Sequence, residues 1–443
     1  MQFAHSLDEI INAFEPEALD GQDLADYYFD GTMESRTGDT FRSPLKNLER
    51  RCVAHTTRNA NLLLGHRGCG KSTELNRLRN RFEEQGYPVR VIRCRDVLAI
   101  EALSHWDMMV VISDALCTIA KNRECALPHS LLEKLKEFFQ EVEITDETAT
   151  ESNSMVQAGV KAQTPDLLAR VLKLFVRAEG DLKRSSERRK TIREKLDHRA
   201  TDWMDMIKEI TVHLESKLAG KQPILIFEDL DRAPLDKVWE AFSYGQLADM
   251  PFPVIYTFPI NGFYDGRFHG LESTFTPDVL PMIKTQNKGG GRNDEAIEVI
   301  RRIVDKRSAI DALFHPDALT LLIEKTGGSL RDLFECIISC SFRALDRAEL
   351  TGDNQETRIE VEDAEEALKE LRSKLSRWIV KPQYAMLREI YQSAPAKETI
   401  SDSDELLKLM QSGAVIEYNG DRWCAVHPLI VDFLKNVGEL PRD

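Results

Sequence analysis

The sequence predicts an α/β protein centred on a parallel sheet, and three stretches predict it. The apolar run Asn61-Leu62-Leu63-Leu64 leads into a glycine-rich octet, Gly65-His66-Arg67-Gly68-Cys69-Gly70-Lys71-Ser72. Thr73 to Arg79 then carries apolar residues one turn apart, so strand, loop and helix follow in the order that a phosphate-binding loop requires. Pro223-Ile224-Leu225-Ile226-Phe227 is the most apolar strand candidate and runs straight into Glu228-Asp229-Leu230-Asp231-Arg232. An uninterrupted apolar run suits a central parallel strand covered on both faces. Tyr87 to Cys94 alternates like a second strand, and Phe252 to Ile260 supplies another.

The octet carries the chemistry. Glycines at 65, 68 and 70 let successive N–H groups face one anion. Lys71 is placed to neutralise β- and γ-phosphates and Ser72 to ligate Mg²⁺, while the helix opening at Thr73 turns its positive end on the same charge. Gly65 to Thr73, including His66, Arg67 and Cys69, is therefore the expected binding loop for ATP with Mg²⁺. At the end of the acidic strand, Glu228 and Asp229 are expected to divide two tasks, holding Mg²⁺ together with Ser72 and polarising the attacking water. Which acid does which stays open, because Glu228 fills a position where aspartate is commoner. Asp231 is the third acid of this candidate catalytic group. Thr257, near the end of its strand, either touches the γ-phosphate or is an ordinary satisfied strand threonine. Ser329 and Asp332 have capping-box spacing, which puts Arg331 in the first turn of a helix. A cation there opposes the helix dipole, so Arg331 either faces an anion or is a surface arginine of the capping turn.

These residues resemble a family. The octet, the Ile-Phe-Glu-Asp-Leu-Asp-Arg stretch, Pro253 to Ile260 and Gly327-Gly328-Ser329-Leu330-Arg331-Asp332 are similar to motifs of the AAA+ and STAND ATPases, especially those near the origin-recognition group. The resemblance spans roughly residues 45–375. It also extends to bacterial P-loop ATPases, some from neighbourhoods of antiviral defence genes. It implies a P-loop NTPase core with a parallel sheet, an all-α lid and a C-terminal winged helix. It further implies a nucleotide-driven switch, often oligomeric, and a second-sensor role for Arg331 at the γ-phosphate. The chain departs from the family at Glu228, and no arginine finger is placed.

Composition narrows the function classes. The chain has 443 residues, enough for two to four domains, with 59 Lys plus Arg against 74 Asp plus Glu, a net charge of −15. A chain so acidic is not built as a whole to bind a nucleic-acid polyanion. Its 8 cysteines form no CxxC pair and no zinc spacing, which favours reduced thiols in a cytoplasm. No apolar run approaches the roughly 18 residues of a membrane span, and the first ten residues lack a basic secretion signal.

The expected organisation has four parts. Residues 1–44 are an N-terminal arm of acids and aromatics. Residues 45–280 are the ATPase core, with a helical insertion at about 121–215, because the stretch from Lys71 to Glu228 far exceeds the thirty or so residues of one βαβ unit. Within the insertion, residues 146–164 read as a mobile loop, and residues 183–199 hold eight Lys or Arg against three acids. That basic run is either a nucleic-acid contact or a solvated helix face. Gly289-Gly290-Gly291 reads as a hinge into a lid at 290–375, with helices at 294–309, 316–325, 329–347 and 361–379. Residues 376–443 have winged-helix order: two helices, a hairpin turning at Asn419-Gly420-Asp421, and a last helix opened by Pro428. Seven bases against ten acids over residues 381–443, and Asp404 and Glu405 on the helix before the hairpin, favour protein contact over DNA. Tyr418 and Trp423 are expected as an exposed aromatic pair for that contact. Two functions remain: an ATP-operated switch acting through self-association or a protein partner, and an ATPase that loads on or remodels nucleic acid.

Overall fold

The computed structural model describes residues 1–37, 43–54, 58–143, 193–194, 196–288, 291–351, 357–393, 403–418 and 423–442. Five strands, β1 (Ala60–Gly65), β2 (Val89–Arg93), β3 (Ile224–Glu228), β4 (Val254–Pro259) and β5 (Thr276–Val279), form one parallel sheet. Their order is β2-β3-β4-β1-β5, so β4 separates the strand that feeds the glycine-rich loop from the strand that ends in acids. The α/β P-loop class predicted from sequence is the class observed.

Alternation along the apolar strands supplies both faces. Leu62, Leu64, Leu225, Phe227, Val254, Tyr256 and Phe258 point to one side, where they pack with the helices His105–Asn122, Ala200–Lys217 and Leu235–Phe242. Leu63, Ile224, Ile226 and Ile255 point to the other, against the helices Pro44–Val53 and Lys71–Glu84. β5 was not legible as a strand: Thr276-Pro277-Asp278-Val279 has neither an apolar run nor alternation, and Pro277 lacks an N–H. Such a segment is tolerated because β5 sits at the edge of the sheet.

Two segments pack into neighbouring cores. In Ala200–Lys217, which overlaps the expected insertion, Trp203 stacks on Trp106 at 5.5 Å and donates to Ser113 Oγ at 2.8 Å inside the main core. The helix thus covers the sheet and leads directly to β3. The arm is not a separate appendage either. Leu7, Ile10, Ala13 and Phe14 belong to the same core as the helices Asp294–Asp305, Pro316–Lys325, Leu330–Thr351 and Val361–Ser376. The loop at 146–164, most of the basic run at 183–199, the hinge residues 289–290 and the hairpin turn 419–421 lie outside the described residues.

The C-terminal region follows the expected order: helices Lys381–Ser393 and Asp404–Gln411, the antiparallel pair β6 (Val415–Tyr418) and β7 (Trp423–Val426), then Pro428–Asn436. The aromatic pair contradicts its expectation. Tyr418 is fully buried and Trp423 nearly so, their rings 5.1 Å apart, and both join the cluster beneath the sheet. A four-residue strand buried on both faces has no side reserved for solvent, so hairpin position alone did not predict exposure.

Candidate functional site

β1 delivers the loop to the carboxyl edge of the sheet. Gly68 and Gly70 take φ values of +82° and +94°, in the left-handed region that side chains disfavour. A Cβ on Gly68 would meet Ser329 Oγ at 2.5 Å, so glycine there also permits close approach of a second element. Lys71 opens the helix and is buried. Its ammonium donates to Gly65 O at 2.8 Å and His66 O at 3.0 Å, and it pairs with Asp231 Oδ2 at 2.9 Å. Burial pulls the Lys71 pKa down, but the Asp231 carboxylate outweighs it and the net shift is upward. Asp231 mirrors this: burial raises it, and Lys71 brings it below the ordinary value. Asp231, expected among the catalytic acids, pairs with Lys71 in this structure.

Glu228 ends β3 beside Arg93, its register partner on β2. Burial first, then the charge of Asp229, push its carboxyl up to about 7, against the lowering effects of Arg93 and a hydrogen bond from Ser72. Its Oε1 is buried without a hydrogen-bond partner. A hydroxyl and a carboxylate brought together at the loop, with one oxygen unsatisfied, fit Mg²⁺ held by few protein ligands plus phosphate oxygens and water. Asp229 adopts φ +66°, a strained conformation for a non-glycine residue. Arg232 Nε at 2.9 Å and Arg95 Nε at 3.4 Å hold its two oxygens. Thr257 Oγ1 accepts from Leu230 N at 3.1 Å, so this hydroxyl anchors the acidic turn while lining the same cavity.

The start of the helix Leu330–Thr351 meets the glycine-rich loop. Leu330 N donates to Gly68 O at 3.2 Å, and Ser329 Oγ accepts from Asp332 N at 3.3 Å, confirming the helix start. Arg331 lines the cavity, and its charge acts on Lys71. The Asp231 carboxylate compensates Lys71, so the smaller repulsion from Arg331 still leaves the Lys71 pKa raised.

The cavity has a volume of about 420 Å³ and extends from the loop and acids to the arm and the lid. Sequence reasoning missed the arm's share. Leu19 N donates to Thr73 Oγ1 at 3.3 Å, Asn76 Nδ2 to Leu19 O at 2.9 Å, and Tyr28 OH to Glu74 Oε1 at 2.9 Å. Arg36, Arg93, Arg95 and Arg307 add cations to the wall. Burial lowers Arg307 to about 10, and its guanidinium lies 4.4 Å over the Phe334 ring. The only hint in the sequence was the aromatic content of the arm.

The hairpin reaches the same loop. Glu417 N donates to His66 Nε2 at 2.8 Å, so His66 is neutral with its proton on Nδ1. Burial, with Lys71 and His427, lowers His66 to about 3. Tyr418 OH donates to Gly327 O at 2.9 Å, fastening the hairpin to the turn that precedes Arg331.

No protein-family model matches the chain, and no curated protein matches it. Solved structures similar to it include an Aeropyrum pernix ORC1 protein in complex with DNA, at 13% identity and TM-score 0.38, covering 89% of this chain and 91% of that one. A Walker-type ATPase of Pyrococcus abyssi shows 14% identity, TM-score 0.38 and coverages of 92% and 99%. A Thermotoga maritima RuvB variant shows 11% identity, TM-score 0.35 and coverages of 96% and 98%. The sheet order, the loop and the acids at the end of β3 carry the P-loop assignment by themselves. Among the described residues, no helix is long and apolar enough to cross a membrane.

Proposed function

We propose that this chain is an ATPase that works as a nucleotide-operated switch, changing its self-association or its hold on a protein partner. Lys71 and Arg331 bind and orient the terminal phosphates, and Ser72 and Glu228 hold Mg²⁺. When bound, Mg²⁺ supplies charge neutralisation on the phosphates. Asp229, fixed by Arg95 and Arg232, is left to orient and polarise the attacking water. The observation that carries the switch reading is convergence: arm, lid and C-terminal hairpin each hydrogen-bond the loop or the turn after it. A simple hydrolase needs no such wiring, whereas a switch needs its nucleotide state felt by separate elements. Small-angle scattering and native mass, measured without nucleotide and with MgATP, test it. An ATP response in the wild type that Lys71→Ala lacks supports the switch, and identical profiles in all states reject it.

The nucleic-acid reading rests on the basic run at 183–199. Part of that run is already engaged: Arg193 pairs with Asp107 at 2.6 Å, and Arg199 with Asp202 at 3.2 Å while covering the Phe138 ring. ATPase assays with DNA and RNA decide. Stimulation that disappears on charge reversal of Arg188, Arg189 and Lys190 moves remodelling to first place.

A further inference from the structure

Arg36 lies on the arm helix Thr32–Thr37 and is 2% exposed, among the largest fully buried side chains of the protein. A guanidinium has five N–H donors. Here Nη1 donates to Pro281 O at 2.6 Å, and Nε has no partner. Among the described residues no carboxylate pairs with it. Burying a cation with so little compensation is strongly unfavourable, unless an anion completes it. The place for that anion is adjacent: Arg36 lines the same cavity as Gly68, Gly70, Lys71 and Thr73, and its Nη2 lies 3.5 Å from where a side chain on Gly70 would begin. One turn earlier on the same face, Thr32 Oγ1 is also buried, unpartnered and on the cavity wall.

We propose that Arg36, with Thr32 beside it, is a phosphate-contacting residue, so that the N-terminal arm supplies part of the nucleotide site and is held in place by the bound nucleotide. This rests on reading the cavity as the nucleotide site. The lid then reads the anion through Arg331 and the arm reads it through Arg36, from two directions. A planar fork suits bidentate contact with phosphate oxygens, which distinguishes Arg36 from a simple point charge.

The alternative is a purely structural arginine that ties the arm to Pro281. The two differ in what removal does to the nucleotide-free protein. Arg36→Met keeps the apolar stem and deletes an under-compensated buried charge, and Arg36→Lys keeps the charge without the fork. Full-length protein is titrated with ATP and ADP by calorimetry, alongside thermal melts with and without nucleotide. The expected result for Arg36→Met is unchanged or higher stability without nucleotide, affinity for both nucleotides weakened roughly ten- to hundredfold, and a smaller nucleotide-induced rise in melting temperature. Arg36→Lys is expected to fall between Arg36→Met and wild type. Lower nucleotide-free stability with wild-type affinity in both variants overturns the proposal. If folded wild-type protein binds no nucleotide, the cavity reading and the proposal fall together. Wild-type binding that needs Lys71 but is indifferent to Arg36 overturns the proposal alone.

Discussion

Glu228 shows how one buried residue couples protonation to stability. With its folded-state value raised from 4.5 to about 7, the native protein binds more protons than the unfolded chain across that window. Glu228 therefore lowers nucleotide-free stability as pH rises from 4.5 through 7, by roughly 3 kcal/mol in full. Glu228→Gln is expected to raise stability at pH 8, leave it nearly unchanged below pH 4.5, and slow hydrolysis at least about a hundredfold. Denaturant melts at several pH values and single-turnover assays check this. Equal stabilisation at every pH would show that the carboxyl is not penalised. Lys71→Ala should weaken nucleotide binding beyond detection by calorimetry and also destabilise by roughly 3 kcal/mol, because Asp231 is left as a buried charge without its partner. The buried histidines act with the opposite sign. Burial lowers His66 to about 3 and His427 to about 4, so their stabilising effect is present above pH 6.5 and lost as pH falls toward those values. His66→Gln should flatten the acid side of the pH–stability curve by about 1.4 kcal/mol per pH unit between 6.5 and 4.

Among the elements, the ones carrying their own periodicity were legible in advance. β1, β3 and β4 announce themselves as apolar runs, the helices between Asp294 and Ser376 as 3.6-residue spacing, and the C-terminal strand pair as a hairpin followed by Pro428. That Lys71 and the acids after β3 line one cavity follows from their places after β1 and β3 at the carboxyl edge of the sheet. Features fixed by tertiary contact were not legible. β5 is a strand only because β1 offers an edge, and Tyr418 is buried only because the hairpin folds back on the sheet. Nothing local in the sequence shows that Asp231 will face Lys71. The Gly327-Gly328 turn joins both kinds of information. Gly328 has φ +86°, and a Cβ there would lie 2.0 Å from Ile283 O, against backbone that cannot yield. Gly328→Ala is expected to destabilise by at least about 2 kcal/mol and to misplace Arg331. Its signature would be an ATP-induced melting shift reduced more than that of Gly291→Ala, where a Cβ meets open space though φ is also positive.

For the whole molecule the question is whether nucleotide at one edge of the sheet is felt at the C-terminal hairpin, and the contacts define a route. Lys71 now spends its donors on Gly65 O, His66 O and Asp231. A bound phosphate competes for that ammonium, so the carbonyl of His66 loses or shares its partner while the ring of the same residue holds Glu417 N. Loop and hairpin are thus joined through one side chain, and Tyr418 joins the hairpin to the turn before Arg331. Filling the loop with phosphate should rigidify His66 and slow amide exchange at Glu417 and its β6 neighbours, measured by hydrogen–deuterium exchange with MgATP. Two variants separate coupling from simple stabilisation. Lys71→Ala should abolish the response by abolishing binding. His66→Ala removes the link but not the phosphate cradle, so nucleotide affinity should stay within about tenfold of wild type while the β6 amides stop responding. If β6 responds to MgATP equally with and without the His66 ring, the signal travels through the lid and Gly327, and the hairpin contact with the loop is packing alone.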